Sequence, residues 1–381
     1  MGSSPIYLDY AATTPLDPEV FAAMRPFLEE HFANPSSLHA PGRRARRAVE
    51  EARERVAAAI GASPREILFT SGATEADNHA LRAATRLNPG GHIVTSLLEH
   101  SAVLTTVRAL EGDGHPVTYL SPNDKGEISP ESLREVLRED TALIALMYVN
   151  NETGVVTDVA RMAEIAHGAG ALLLCDAVQA FGLLAVDVKR LGADLLTLSG
   201  HKVYGPKGVG VLYIRRGLTL PPLLTGGEQE RGLRAGTLNT PAVVGMGRAA
   251  QRAAAACEAD YTELAALQRH FEDRLRSLPG VTVNASDAPR CPKHVSVSIA
   301  GADGEALLMN LDRLGVYASA GSACAAGTVE PSHVLLAMGL PRDRAKASVR
   351  FSLGRGLDCS TLDDAAGRLE VAIAASRPLA V

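Results

Sequence analysis

Short apolar runs alternate with amphipathic stretches along most of this 381-residue chain, and that alternation restricts the fold more than any other property. Runs at 67–70, 92–96, 141–149, 171–175, 194–198 and 209–214 predict strands. Between them, 74–87, 101–111, 130–138 and 158–167 carry helical spacing. Asp17-Pro18 opens an earlier helix with a capping side chain followed by proline at the first helical position. Interleaving of this kind predicts an α/β domain on a mostly parallel sheet. An Ala-rich helix over about 241–278 reads as a spine, after which the order changes. Strands then fall near Val281, at 294–299 and at 349–353, with helices at 305–314, 331–338 and 361–375. The expected division is a large domain over 15–255 and a smaller α+β domain formed by 1–14 and 256–381.

Two of the predicted strands end on residues that carry chemistry. Lys202 follows Leu198-Ser199-Gly200-His201, directly after a buried run. A lysine there is costly unless its amine is used, and a Schiff base with a carbonyl cofactor uses it. Asp176 ends Leu172-Leu173-Leu174-Cys175, 26 residues earlier. Pyridoxal phosphate (PLP) requires a carboxylate against its pyridine nitrogen, so that the ring stays protonated and acts as an electron sink. Either residue alone reads as a turn lysine or a capping aspartate; the pair supplies both partners. A phosphate site is then needed. Thr70-Ser71-Gly72-Ala73-Thr74-Glu75 leaves a strand and enters a helix, where backbone N–H groups suit a phosphate monoester. Taken by itself this is also an ordinary helix cap. Ser199, His201 and Thr237 are further polar candidates around the phosphate.

Composition removes several classes of function. A net charge of −5 with mixed signs leaves no basic footprint for nucleic acid. No stretch approaches the ~20 apolar residues of a membrane span, and the start lacks the regions of a secretory signal. Cys175, Cys257, Cys291, Cys324 and Cys359 show no C-x-x-C spacing, which argues against a zinc cage or disulfide framework and for a reducing cytoplasm. Arg43, Arg44, Arg46, Arg47, Arg53 and Arg55, interspersed with Glu50, Glu51 and Glu54, predict a solvated helix face with pairs Arg46–Glu50 and Arg47–Glu51.

Ordered motifs over nearly the whole chain carry a family resemblance. They include Tyr7-Leu-Asp-Tyr-Ala-Ala-Thr-Thr-Pro15, Asn34-Pro-Ser-Ser-Leu-His39, Glu99-His100-Ser-Ala-Val103 and Val149-Asn-Asn-Glu-Thr-Gly154. Asp176-Ala-Val-Gln179, Ser199-Gly-His-Lys202, Glu230-Arg-Gly-Leu-Arg-Ala-Gly-Thr237 and Arg350-Phe-Ser-Leu-Gly354 continue the series. The sequence resembles the NifS/IscS-like cysteine desulfurases, PLP-dependent enzymes of the aspartate-aminotransferase fold in the class-V aminotransferase family. The resemblance implies fold type I, with a mostly parallel seven-stranded sheet in the large domain. It implies that Lys202 binds PLP and later moves the substrate's α-proton, that Asp176 pairs with the pyridine nitrogen, and that Gln179 contacts the phenolic oxygen. His100 would stack on the ring and assist proton transfer. Ala73, Thr74, Ser199 and His201 would hold the phosphate, joined by Thr237 of a partner subunit, since the family is dimeric. Asn151 would contact cofactor or substrate, and Arg350 would take the substrate carboxylate, with Asn34 a weaker candidate for the same role.

Ala318-Ser-Ala-Gly-Ser-Ala-Cys324-Ala-Ala-Gly327 separates this group from transaminases. A thiol that attacks the sulfur of L-cysteine and carries it off as a persulfide needs an exposed position among small residues, with Gly321 and Gly327 as candidate hinges. The other cysteines read as small buried hydrophobes. The implied reaction is conversion of L-cysteine to L-alanine, with sulfur passed from Cys324 to an iron–sulfur scaffold, tRNA thiolation or another acceptor. Glu228 departs from the family's glycine at that position, and the chain ends at Val381 where scaffold-docking relatives often run longer. Scaffold docking therefore stays open. The alternatives are a selenocysteine lyase or cysteine-sulfinate desulfinase of the same superfamily, and an inactive sulfur-carrier partner.

Overall fold

The computed structural model describes residues 4–320 and 330–377. Its centre is a seven-stranded sheet in the order Ile67–Thr70, Gly210–Ile214, Leu195–Ser199, Leu172–Asp176, Thr141–Met147, His92–Ser96, Val117–Leu120. Gly210–Ile214 is antiparallel to both its neighbours, and the other pairings are parallel. The expected mostly parallel α/β sheet is therefore present. Its inner strands are buried at all but Ala142 and Leu172, which is why they read as nearly continuous apolar runs.

Val117–Leu120 was not among the expected strands. It lies at the sheet edge, where Val117, Thr118 and Tyr119 are only half-buried, so its four residues lack the apolar density that marks the inner strands.

Helix Thr240–Arg276 spans 37 residues, with Pro241 in its first turn and Asn239 accepting from the Ala242 N–H. Val243, Val244, Met246 and Ala250 bury its first half, and Leu264, Leu267, Phe271 and Leu275 its second. Beyond it, a four-stranded antiparallel sheet runs Ser319–Ala320, Ser348–Ser352, His294–Ile299, Val281–Val283. The chain's start joins this end of the molecule: Ile6–Tyr7 pairs in parallel with Val316–Tyr317.

The arginine-rich helix Ala40–Ala59 corrects one expectation. Arg43, Arg44, Arg46 and Arg47 are exposed, but Arg53 is buried. It forms a two-pronged ion pair with buried Glu230, at 2.9 and 2.6 Å, and also donates to the Ile67 carbonyl. Helical periodicity turns Arg53 inward with Val49 and Val56. Among the described residues the near-neighbour pairs are Arg53–Glu50 and Arg55–Glu51, and Arg46 donates to the Pro35 carbonyl.

Candidate active site

Several sheet strands deliver their chemistry to one edge. Leu172–Asp176 ends on Asp176, and Leu195–Ser199 runs into a tight turn, Gly200–Lys202. Helix Ala73–Leu87 starts there from Gly72, which offers no capping side chain, so the first N–H groups are open to a ligand. Strand Gly210–Ile214 backs that turn so closely that a Cβ on Gly210 would stand 2.4 Å from the Gly72 carbonyl carbon. Only glycine permits the approach.

A cavity of about 500 Å3 results. Ala73, Thr74, Ser199 and His201 line it together with His100, Asn151, Asp176, Gln179 and Lys202. Nine of the expected residues thus meet in one space.

Lys202 Nζ donates to the carbonyls of Ala11 and Ala12, at 2.6 and 2.8 Å, which ties the amine to the N-terminal segment. Burial, then the cations Lys293 and Arg350, pull its pKa down to about 7. His201 sits beside it; burial and the nearby lysines push it down to about 4, so its ring is neutral at physiological pH. His201 Nδ1 lies 3.2 Å from Thr13 Oγ1, and Thr14 Oγ1 donates to the His201 carbonyl. The N-terminal segment is thereby fastened to the lysine turn.

Asp176 is buried, with Oδ1 accepting from the Val178 N–H at 2.9 Å. Asp77, from the first helical turns after Gly72, lines the same cavity and is buried as well. Burial and the Asp176 charge drive the Asp77 pKa well up. His100 caps helix Ser101–Gly112, its Nδ1 accepting from the Ala102 N–H at 3.1 Å. In the neutral ring the proton is therefore on Nε2.

These groups fit PLP. An uncapped helix N-terminus with Thr74, Ser199 and His201 around it suits a phosphate. Asp176 suits a ring nitrogen, and Lys202 suits a carbonyl carbon. Gln179 donates Nε2 to the Ala11 carbonyl and keeps a buried Oε1 without a partner among the described residues, which leaves a polar position facing the same space.

Arg350 is buried on strand Ser348–Ser352. Its Nη1 donates to the Asn151 carbonyl at 3.0 Å and its Nη2 to Asp9 Oδ1 at 2.8 Å. Its Nε is buried without a partner among the described residues, and each Nη keeps a second hydrogen beyond the contacts above.

The remaining candidates are placed apart. Asn34 is exposed in a separate groove with His31 and Phe32, its side chain accepting from the Ser36 N–H. Thr237 is exposed and does not line its own chain's cavity. Cys324, with Gly321 and Gly327, lies outside the described residues. Cys175 and Cys291 are buried and Cys257 is half-buried, but Cys359 is exposed at the start of helix Cys359–Ala375. The buried reading of Cys359 is corrected: it sits in a polar first turn whose apolar face begins at Leu362.

Asp9, Thr13, Asp77 and Lys293 were not anticipated. Asp9 and Thr13 lie within a quoted motif, but nothing local marks a residue that acts on a strand more than 180 positions away.

The aminotransferase class-V family matches residues 6–363. A cysteine desulfurase IscS of Anaeromyxobacter sp. (strain Fw109-5) is 48% identical over 92% of this chain and 88% of its own length. One from Dictyoglomus turgidum is 45% identical over 92% and 89%. Among solved structures, a NifS-like protein superposes with a TM-score of 0.91 at 34% identity, covering 97% of this chain and 99% of that one. A structure described as SspA in complex with cysteine gives 0.82 at 39% identity, over 91% and 98%. The chain belongs to the class-V aminotransferase family and, within it, to the PLP-dependent cysteine desulfurases.

Proposed function

We propose that the Lys202 cavity and Cys324 together carry out the cysteine desulfurase reaction: L-cysteine gives L-alanine, and its sulfur becomes a persulfide on Cys324. The convergence of Lys202, Asp176, His100 and the open helix end at Gly72 on one cavity carries this reading. PLP, when bound, supplies an electron sink that lowers the cost of removing the α-proton and loosens the β-carbon–sulfur bond.

The chain's own residues do the rest. Arg350, held by Asp9 and by the Asn151 carbonyl, presents Nε to the substrate carboxylate and fixes the amino acid's orientation. Lys202, near neutral pKa, takes the α-proton and returns it. His100 offers Nε2–H toward the cavity as a further proton donor. The Cys324 thiolate attacks the substrate sulfur: an S–S bond forms, the substrate's C–S bond breaks, and proton return at carbon completes alanine. Asp176 faces the cofactor ring, with Asp77 beside it in the same cavity.

The finer parts of the reading are a homodimer in which Thr237 completes the partner's phosphate site, a cytoplasmic location, and an iron–sulfur scaffold or another protein as acceptor. The division into 15–255 and 1–14 with 256–381 belongs to the same proposal. Asn34 belongs to it only if the partner or the acceptor brings its groove to the cavity. Among the described residues no helix is long and apolar enough to cross a membrane.

Mass spectrometry after incubation with L-cysteine tests the proposal. One extra sulfur on Cys324 and free alanine are expected. Cys324→Ser should lose sulfide release and keep the cofactor's visible absorbance; undiminished sulfide release overturns the assignment of Cys324.

A further inference from the structure

Lys207 lines the cavity with Lys202, and a third lysine, Lys293, stands behind the Lys202 turn with no role assigned to it by any motif or resemblance. It stands just ahead of strand His294–Ile299, only 5% exposed. Its Nζ donates to the backbone carbonyl of Lys202 at 3.3 Å, and among the described residues it forms no ion pair. Lys202 and Lys293 also line one small interior space with Phe181, Leu183, Val203 and Leu264. A buried ammonium with a single carbonyl partner is an expensive arrangement for a residue that only fills space. An apolar side chain of equal length would pack there at less cost.

We propose that Lys293 is a positioning residue for the reaction: its buried ammonium, set behind the lysine turn, holds the Lys202 amine in the uncharged form that attacks a carbonyl and accepts the α-proton. The inference rests on the reading of Lys202 as the cofactor lysine. A neighbouring cation in a desolvated pocket is a known way to activate a lysine nucleophile. The other charges facing Lys202 divide by element. Asp176 ends its strand and Asp9 comes from the N-terminal segment, both favouring the ammonium; Arg350 on Ser348–Ser352 disfavours it. His100, His201 and His294 also face Lys202, each with its pKa held down chiefly by burial. Tyr204, Asp260 and Arg355 line the shared space as well: Asp260 is committed to Arg355 at 2.6 Å, and burial pushes the Tyr204 pKa up to about 12. Burial chiefly lowers the Lys293 pKa as well, to about 8.

Two readouts other than turnover test this. In the full chain freed of cofactor, trace amine-reactive labelling followed by mass spectrometry gives the pH at which Lys202 becomes reactive. In the holoenzyme, the visible absorbance is titrated against pH. Lys202 of the unsubstituted protein should become reactive near neutrality. Lys293→Met should move both midpoints up by about one pH unit, and Lys293→Arg should leave them in place. Unmoved midpoints in Lys293→Met, or ordinary lysine behaviour of Lys202 in the unsubstituted protein, overturn the proposal; the second result stands even if Lys293→Met does not fold. Borohydride reduction of the holoenzyme separates the two readings. Trapping of the cofactor on another lysine removes the Lys202 assignment itself, whereas trapping on Lys202 with unmoved midpoints removes only the role of Lys293.

Discussion

Asp9 Oδ1 accepts a hydrogen bond from Arg350 Nη2 at 2.8 Å, joining residues 341 positions apart. The other Asp9 oxygen accepts from Ser319, on the short strand that leads toward the Cys324 segment. One carboxylate therefore holds both the guanidinium proposed to bind the substrate and the strand that precedes the proposed acceptor thiol in sequence.

Asp9→Asn should raise KM for L-cysteine about tenfold, the size of one lost charge-assisted bond. The change in kcat should stay within about threefold, because Asp9 touches neither the reacting sulfur nor the α-proton. Steady-state kinetics of alanine formation decides; a loss confined to kcat would contradict the orienting role.

Uptake of the cofactor should depend on pH through Lys202. The amine attacks only when neutral, and its pKa lies at about 7 against an ordinary 10.5. The rate of PLP capture by cofactor-free protein should therefore rise as pH goes from 6 to 8 and flatten above. Stopped-flow absorbance follows it. A rate still climbing steeply at pH 9 would mean an unperturbed lysine.

Glu99 offers a stability test with a definite sign. Burial raises its pKa from 4.5 to about 8, and Ser96 donates to Oε1 at 2.6 Å. Below pH 4.5 both folded and unfolded forms are protonated and the group is silent. Between 4.5 and 8 the unfolded chain ionises while the folded one keeps its proton, so the folded state loses stability as pH rises. Glu99→Gln escapes that loss. Its Tm advantage over the unsubstituted protein should be larger at pH 8 than at pH 5 by at least about 2 °C.

The buried Arg53–Glu230 pair should be costly to break and cheaper to replace whole. Arg53→Met strands Glu230 and should cost about 3 kcal/mol in urea unfolding. Arg53→Met with Glu230→Leu should recover part of it, though the Phe69 N–H then loses its acceptor. Glu230 and Arg231 hold positive φ values of 49° and 61°, so this pair also clamps a strained turn ahead of Thr237. Equal losses in the single and double variants would mean that the clamp, not the charge, sets the cost.

Much of the fold was legible because its signals are local. Buried parallel strands are apolar along their whole length, and Asp17-Pro18 and Pro241 mark helix starts through backbone chemistry alone. The half-buried edge strand Val117–Leu120 escaped because its pattern is diluted by Thr118 and Tyr119. Arg53 sits among exposed arginines; its spacing from Val49 and Val56 places it on the inner face, and the partner that makes a buried arginine tolerable there, Glu230, is 177 positions away.

The site divides in the same way. Lys202, Asp176 and the Ser71-Gly72-Ala73-Thr74 turn announce themselves because each must stand at a strand end or helix start to work, and such ends have recognisable sequence. Cys324 is marked by the small residues around it. By itself, then, the sequence determined the mostly parallel α/β frame and singled out Lys202, Asp176 and Cys324 as candidates for the cofactor lysine, the ring aspartate and the acceptor thiol. The tertiary structure alone decided that Asp9 orients Arg350, that Asp77 shares the cavity with Asp176, and that Lys293 lies behind Lys202. Electrostatic fields act through space and leave no spacing along the chain, so the charges that tune the site become visible only once the chain has folded around it.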